Sequence, residues 1–344
     1  MEKNAKLKLS MVFRRLNIIS IFIIIVIFAL YISGCDDKSD IGYNSEDSLP
    51  PQHSLRWSPD GSMIVFIYDT YVVIQDVETE EQRQLTGTGF YYEPTWSPDS
   101  IKIAYSSSSY GARDEIYVKN ADGSDVAMRL TRDSAADYRP RWSPDGTKIA
   151  FYSNREGNLN IWVKNADGSG DALQLTSDKG SDLNQEWSPD STKLVFESNR
   201  SGNYDLWVVN VDGATPPVQI TFSEASDRKP LWSPDGTRIA FQSYRSGEQN
   251  IWVKNADGTG DAVEVSAGYG SVSMHIWSPD SRWIAFVSED REVMLNSSDG
   301  VGVAEKVADG LEPCWSPEGD RMAMVSWMED RYRIQIVDLP EKFR

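Results

Sequence analysis

The chain has 344 residues, 25% of them charged, with a net charge of −18. Such acidity argues against nucleic acid or anionic lipid as the partner surface, because like charges repel. Two cysteines and two histidines are too few for a disulfide framework or a histidine-rich metal centre.

At the N-terminus, Lys3, Lys6, Lys8, Arg14 and Arg15 form a basic leader, residues 16–32 are nearly all apolar, and Ile32-Ser33-Gly34-Cys35 follows. The pattern resembles a bacterial lipoprotein signal, in which residues 1–34 are removed and Cys35 takes lipid. The alternative is an uncleaved anchor, since about 17 apolar residues just span a bilayer. Either way the rest of the chain is expected outside the cytoplasm, tethered to a membrane of the cell envelope. In a Gram-negative host that is the periplasmic side, where Asp36 resembles an inner-membrane retention signal. The leader contributes five positive charges and one negative, so the mature chain carries −18 − 4 = −22. Residues 35–52 are polar and include Pro50-Pro51, a flexible tether in which residues 41–44 could still pair as a strand. Lipidation of Cys35 leaves Cys314 alone, expected as a buried, inert thiol.

Residues 53–344 are repeats. A Trp-Ser-Pro core begins at Trp57, Trp96, Trp142, Trp187, Trp232, Trp277 and Trp315, at spacings of 39, 46, 45, 45, 45 and 38. A period in the forties with aromatic and Gly signatures means one supersecondary unit repeated, and propeller blades fit best. In Trp142-Ser143-Pro144-Asp145-Gly146 the last four residues suit successive positions of a type I turn. An alternating apolar run follows each copy, so the pentapeptide is a hairpin corner and the Trp ends the first strand. Packed between blades, such a ring removes roughly 150–250 Å² from water. At roughly 25 cal/mol/Å² that is about 4–6 kcal/mol gross per copy. An exposed aromatic platform for sugars or bases suits so strict a register poorly.

The third repeat shows the plan: strands at 138–142, 148–153, 160–164 and 172–176, with a loop at 154–158 and the turn Asn165-Ala166-Asp167-Gly168. Ile251 to Gly258 nearly repeats Ile161 to Gly168, which indicates duplication. Repeats one and six are short because they lack the insert between strands two and three. The order Trp-Ser-Pro-Asp-Gly, Ile-Ala-Phe, Ser-Asn-Arg-x-Gly, Ile-Trp-Val, Asp-Gly, Leu-Thr resembles the blades of TolB. Similar blades occur in the propeller domains of prolyl oligopeptidase-type enzymes and of oligogalacturonate lyases. The resemblance spans about residues 53–340 and implies an all-β fold. TolB also carries an N-terminal α/β domain, for which this chain has no counterpart, so the resemblance extends to the fold more than to a trans-envelope role. The expectation is a seven-bladed β-propeller of four-stranded antiparallel blades, with six blades, as in TolB, the alternative. Repeat seven supplies three strands only, and residues 41–44 are the candidate for its missing outer strand.

Strand alternation places the Ser-Pro-Asp-Gly corners and the Asn-Ala-Asp-Gly turns on one face. The loops between strands two and three and the blade connections occupy the other. The first face repeats almost verbatim and reads as scaffold. The second varies: Tyr92 and Glu93; Asp137, Tyr138 and Arg139; Asp182, Asn184 and Gln185; Asp227, Arg228 and Lys229; His275; Glu312. Variable loops on a rigid platform carry recognition, and Tyr and Arg are common anchors. These residues are expected to line a channel mouth that binds a protein or peptide. In the plainer alternative, Asp137, Asp182 and Asp227 only cap their own turns. Arg155, Arg200 and Arg245 recur with the blade and read as structural partners of nearby acids. Asn165, Asp167 and Asp171, like Asn255, Asp257 and Asp261, faintly resemble a calcium loop, but no Glu follows where one is needed, and Asp-Gly is an ordinary hairpin turn. No metal or cofactor is expected.

No catalytic constellation stands out. The histidines are His53 and His275, and no Gly-x-Ser-x-Gly elbow occurs. A glycosidase-type carboxylate pair stays open, because acids are abundant. The reading is a monomeric, membrane-tethered, non-catalytic interaction or scaffold module. A glycan-binding propeller and a polysaccharide-active enzyme are the alternatives.

Overall fold

In the computed structural model, which describes residues 52–87, 89–108, 113–132 and 134–344, every Trp-Ser-Pro core joins the first strand of a sheet to its second. Seven antiparallel sheets follow one another, six of four strands and the last of three. The expected seven-bladed propeller is present. Blade three runs Asp137–Trp142, Lys148–Ser153, Asn160–Asn165 and Leu173–Gln174, in that order across the sheet. The first strand of each blade contacts the first strands of both neighbours, so these strands are innermost and the ring closes from blade seven to blade one.

The corner works through its side chains. Ser143 donates its hydroxyl hydrogen to Asp145 Oδ1 at 2.6 Å, and its oxygen accepts the Lys148 N–H at 2.9 Å. The same Oδ1 accepts the Thr147 N–H at 2.9 Å and the Thr147 hydroxyl at 2.8 Å. Ser58–Asp60, Ser188–Asp190 and Ser233–Asp235 repeat this arrangement. Burial pushes the Asp145 carboxyl up, but the bonds from Ser143 and Thr147 outweigh it and hold the group below its usual range.

After the Asp the corner needs a left-handed residue, and the blades alternate in how they supply one. Gly61, Gly146 and Gly236 have φ of 73°, 72° and 73°, whereas Ser100, Ser191 and Ser281 have 61°, 61° and 64°. Each Ser hydroxyl accepts an N–H from the preceding blade's corner, from Asp60, Asp145 and Asp235 at 3.1, 3.0 and 3.0 Å. Blades one to six are therefore joined as three pairs, a repeat of two blades inside the repeat of one.

The core lies in layers between blades. Trp187 is buried with Leu194 and Phe196 of its own blade against Ala150, Ile161 and Leu175 of blade three. Its indole N–H donates to the Arg141 carbonyl of that blade at 2.9 Å. Trp96 and Trp277 do the same to Arg56 and Leu231, and Trp57 reaches Cys314 O at 3.0 Å, which joins blade one to blade seven. The tryptophans thus pack between neighbouring blades, as the turn register implied. Cys314 is buried in the closing layer, and burial pushes its thiol up.

The third strand of blade seven, Arg331–Asp338, is the last of its sheet, and no fourth strand pairs with it among the described residues. Residues 41–44, the expected partner, lie outside the described residues, as do the leader and Cys35. Among the described residues no helix is long and apolar enough to cross a membrane.

Candidate functional site: the channel mouth

Every innermost strand is irregular at one place, three residues before its tryptophan. Ser54, Glu93, Arg139, Asn184, Lys229, Met274 and Glu312 have φ of 60°, 50°, 51°, 53°, 52°, 51° and 57°. Pairing with the second strand slips at this point in all seven blades. A bulge of this kind re-aims a side chain, and none of the seven residues is a glycine. The next residue is Pro94, Pro140, Pro230 or Pro313 in four blades and Leu55, Gln185 or His275 in the other three. Proline suits a bulge because no ladder N–H is needed there.

Five of the expected site residues therefore occupy equivalent places on the innermost strands: Glu93, Arg139, Asn184, Lys229 and Glu312. Between blades two, three and four the charges interlock. Arg141 donates to Glu93 of blade two and to Glu186 of blade four, each at 2.9 Å. Arg139 donates to Asn184 and reaches Glu186 at 3.4 Å. Burial pushes the Glu93 carboxyl up, but Arg139, Arg141 and Arg56 outweigh it and hold the group well below the carboxylate range. Between the neighbouring blades seven and one, Glu312 accepts the Ser54 N–H at 3.3 Å. Burial pushes Glu312 up, and neighbouring Arg56 only partly offsets that. Lys229 donates its backbone N–H to Glu197 at 2.6 Å. His275 is buried, and burial pushes its imidazole down to about 4.

The other expected residues divide. Tyr92 is 37% exposed at the rim. Tyr138 lies against Tyr152, ring centroids 5.5 Å apart, and the Arg228 guanidinium sits 4.0 Å from the Tyr204 ring centre. Asp137, Asp182 and Asp227 are wholly enclosed, ion-paired to Arg155, Arg200 and Arg245 at 2.9, 2.7 and 2.6 Å. Those arginines lie over Trp162, Trp207 and Trp252 at 4.3, 4.8 and 4.9 Å. This cluster ties each loop between strands two and three to its own blade, the structural role that the recurrence of the arginines implied. Gln185 is also enclosed and donates to the Arg139 carbonyl at 2.7 Å.

Arg56, Arg141, Glu186 and Glu197 belong to the same charged lining and were missed. Arg56, Arg141 and Glu186 each stand one residue before a tryptophan, so alignment on the tryptophans brings them out. The Asn-x-Asp turns use their own polar groups: Asp167 accepts the Ser169 N–H at 2.8 Å, and Asp257 the Thr259 N–H at 2.9 Å. Among the described residues no group of three or more His, Cys, Asp or Glu is placed to hold a metal ion.

Fold and mouth together define a seven-bladed β-propeller whose channel entrance carries mixed charge on a repeated backbone. The chain belongs to the TolB β-propeller domain family, which matches residues 37–179 and 169–305. Among solved structures it is similar to TolB of Acinetobacter baumannii, at 22% identity and a TM-score of 0.55, covering 76% of this chain and 65% of that one. It is similar to an oligogalacturonate lyase of Vibrio parahaemolyticus at 16% identity and a TM-score of 0.65, over 84% and 89% of the two chains. A puromycin-hydrolyzing peptidase of Mycobacterium tuberculosis matches at 16% identity and a TM-score of 0.59, over 72% of this chain and 43% of that one. At such identities the likeness is one of fold. No curated protein matches significantly.

Proposed function

We propose that this chain is a lipid-tethered, extracytoplasmic propeller that acts as a non-catalytic protein-interaction module of the cell envelope, with the channel mouth as its contact surface. The observation that carries this reading is the ring of bulged residues. One backbone geometry recurs in seven blades with Ser, Glu, Arg, Asn, Lys, Met and Glu in turn. A scaffold position repeats its residue, whereas a recognition position varies it on a fixed frame. The rim adds Tyr92, Tyr138 and Arg228, residue types that anchor protein contacts. The leader ending at Cys35 supports the tether, and membership of the TolB propeller family supports the envelope setting.

A second reading, binding or cleavage of an acidic polysaccharide, is favoured by the likeness to the oligogalacturonate lyase, with Arg139, Arg141, Arg56 and Lys229 as cations for uronate groups. Site-specific photo-crosslinking in cells separates the two. A crosslinker at Tyr92 or Arg228 is expected to capture one envelope protein, and a crosslinker at Thr147 or Thr237 on the corner face none. Equal yields from both faces, or retention of the purified chain on immobilised polygalacturonate together with no protein adduct, would overturn the interaction reading.

A further inference from the structure

We infer that the hairpin of blade seven, residues 326–333, together with Tyr68 of blade one, dips into the interface of a lipid bilayer. Blade seven departs from the other six in the length of this hairpin. Its second and third strands, Arg321–Met328 and Arg331–Asp338, pair over eight positions, where the equivalent ladders pair over five or six. In blades three to five the second strand ends at Ser153, Ser198 and Ser243, each eleven residues after its tryptophan, and Ser326 holds that place in blade seven. Beyond it the pairs Trp327–Tyr332 and Met328–Arg331 extend the ladder. At about 3.4 Å per residue, the hairpin projects roughly 7 Å further on the mouth face.

The projecting pairs carry apolar surface. All twelve tryptophans lie among the described residues, and Trp327 is the one that is exposed, at 62%. Met328 beside it is 40% exposed. Glu329 and Asp330 close the hairpin with φ of 48° and 63°, the two left-handed residues of a tight two-residue turn. Trp327 meets Tyr332 edge-on, ring centroids 4.8 Å apart, and Tyr332 and Tyr71 both pack against the layer between blades seven and one. Tyr68 shares a strand face with Ile64 and Phe66 of that layer and is 43% exposed. Its place, eleven residues after the tryptophan, is serine in every other blade, Ser107 and Ser288 included.

Three observations select a bilayer as the occupant. Trp and Tyr, with an apolar body and a polar tip, settle at the membrane–water interface. A group held there sits roughly 5–10 Å into the boundary between headgroups and acyl chains, a depth that the two extra pairs reach. The charges of the hairpin cancel, Glu329 and Asp330 against Arg331 and Arg333, while the chain as a whole carries −18. Anionic headgroups therefore repel this corner least. Chain order agrees. The first strand of the propeller begins at Gln52, whose cross-strand partner is Tyr68, and Cys35 stands seventeen positions before it. On the lipid-anchor reading, the tether joins the propeller at the corner where these aromatic rings stand.

The inference rests on the membrane-tethered reading for its setting and sharpens the class of partner. With the hairpin in the interface, blades seven and one hold the mouth face close to the bilayer. A partner that reaches the mouth is then one that presents its contact beside the membrane.

Fluorescence quenching on the full chain tests the contact. An environment-sensitive fluorescent amino acid replaces Met328, and a second chain carries it in place of Thr147 on the corner face. Each is reconstituted into nanodiscs of phosphatidylethanolamine and phosphatidylglycerol, with plain or brominated acyl chains. Bromine should lower emission from position 328 about twofold and leave position 147 unchanged. Trp327→Glu, at an exposed site, should restore most of the emission at 328. No quenching at 328, equal quenching at both positions, or quenching indifferent to Trp327→Glu would overturn the inference. A photo-crosslinker at Trp327 that captures a protein, with position 328 unquenched, would overturn it in favour of a protein contact. Cell fractionation keeps the two readings apart. Cys35→Ser should move the chain out of the membrane fraction, and a chain that stays bound sinks the lipid anchor alone and lets the quenching result stand.

Discussion

The two faces of the propeller are made by the same strands and treat their side chains in opposite ways. On the corner face, Ser143 and Asp145 bond to their own turn, and the same residues serve Ser58–Asp60, Ser188–Asp190 and Ser233–Asp235. At the mouth the backbone repeats just as strictly, with φ between 50° and 60° in seven blades, yet the residue changes in almost every blade. The corner side chain solves a problem of its own backbone, so one solution is kept. The mouth side chain points away from its own strand, and only its surroundings in the channel constrain it. Repeated residues mark where a blade holds itself together, and on the reading proposed above repeated conformation with varied residues marks where it meets a partner.

The largest effect that tests this contrast is Trp187→Ala beside Asn184→Ala, three residues apart on one strand. The tryptophan is buried and donates to Arg141 O at 2.9 Å. Its removal should cost about 3–5 kcal/mol in urea unfolding, as large core truncations do. Asn184→Ala should cost under about 1 kcal/mol. Equal losses would mean that the mouth residues are as structural as the corner.

At the mouth itself, pH is the sharper probe. Burial holds His275 down to about 4, below an unfolded value of about 6.5. The unfolded chain therefore takes up a proton first as pH falls. Stability should be full above about pH 6.5 and drop by up to about 3 kcal/mol on the way to about pH 4. Glu93 works in the same direction in a lower window. Its folded pKa is depressed, so its contribution is present above about pH 4.3 and lost below it. Urea unfolding at about pH 7 and pH 5 should show the histidine's share, and His275→Gln should flatten it. The same slope in the variant would place the effect elsewhere.

How much of this was legible in the sequence follows from the same contrast. The corner was readable because Pro and Asp-Gly report backbone geometry directly, and the tryptophan because its spacing repeats. The bulge was not. Left-handed φ is normally signalled by Gly or Asn, and here it falls on Glu93, Arg139, Lys229 and Glu312. Arg141 and Glu186 were overlooked because the bulge, invisible in the sequence, decides which side chains turn into the channel. Asp137, Asp182 and Asp227 stand beside residues of the bulged inner strands, and their burial sets them apart from the bulged residues. The Arg155, Arg200 and Arg245 partners were legible from recurrence alone.

A smaller effect isolates the corner's own bonds. Asp145→Ala removes the acceptor for Ser143 and for both groups of Thr147. The site is largely open to water, so the loss should be about 1 kcal/mol. A loss near that for Trp187→Ala would mean that the turn, more than the ring, positions neighbouring blades.

The smallest effect concerns the pairing of blades three and four. Ser191 sits at φ 61° and accepts the Asp145 N–H of the preceding blade at 3.0 Å. Ser191→Gly relieves a left-handed strain of roughly 1 kcal/mol, but it loses the acceptor and loosens the unfolded chain by a comparable amount. The net change should lie within about 0.5 kcal/mol of zero. Ser191→Ala keeps the strain and loses only the acceptor, so it should be the worse of the two by about 0.5–1 kcal/mol. The loss in the alanine variant relative to the wild type, with the left-handed strain unchanged, separates a hydroxyl that joins two blades from one that merely fills a turn. An alanine variant as stable as the wild type would leave the two-blade repeat as a feature of ancestry with no energetic part in the ring.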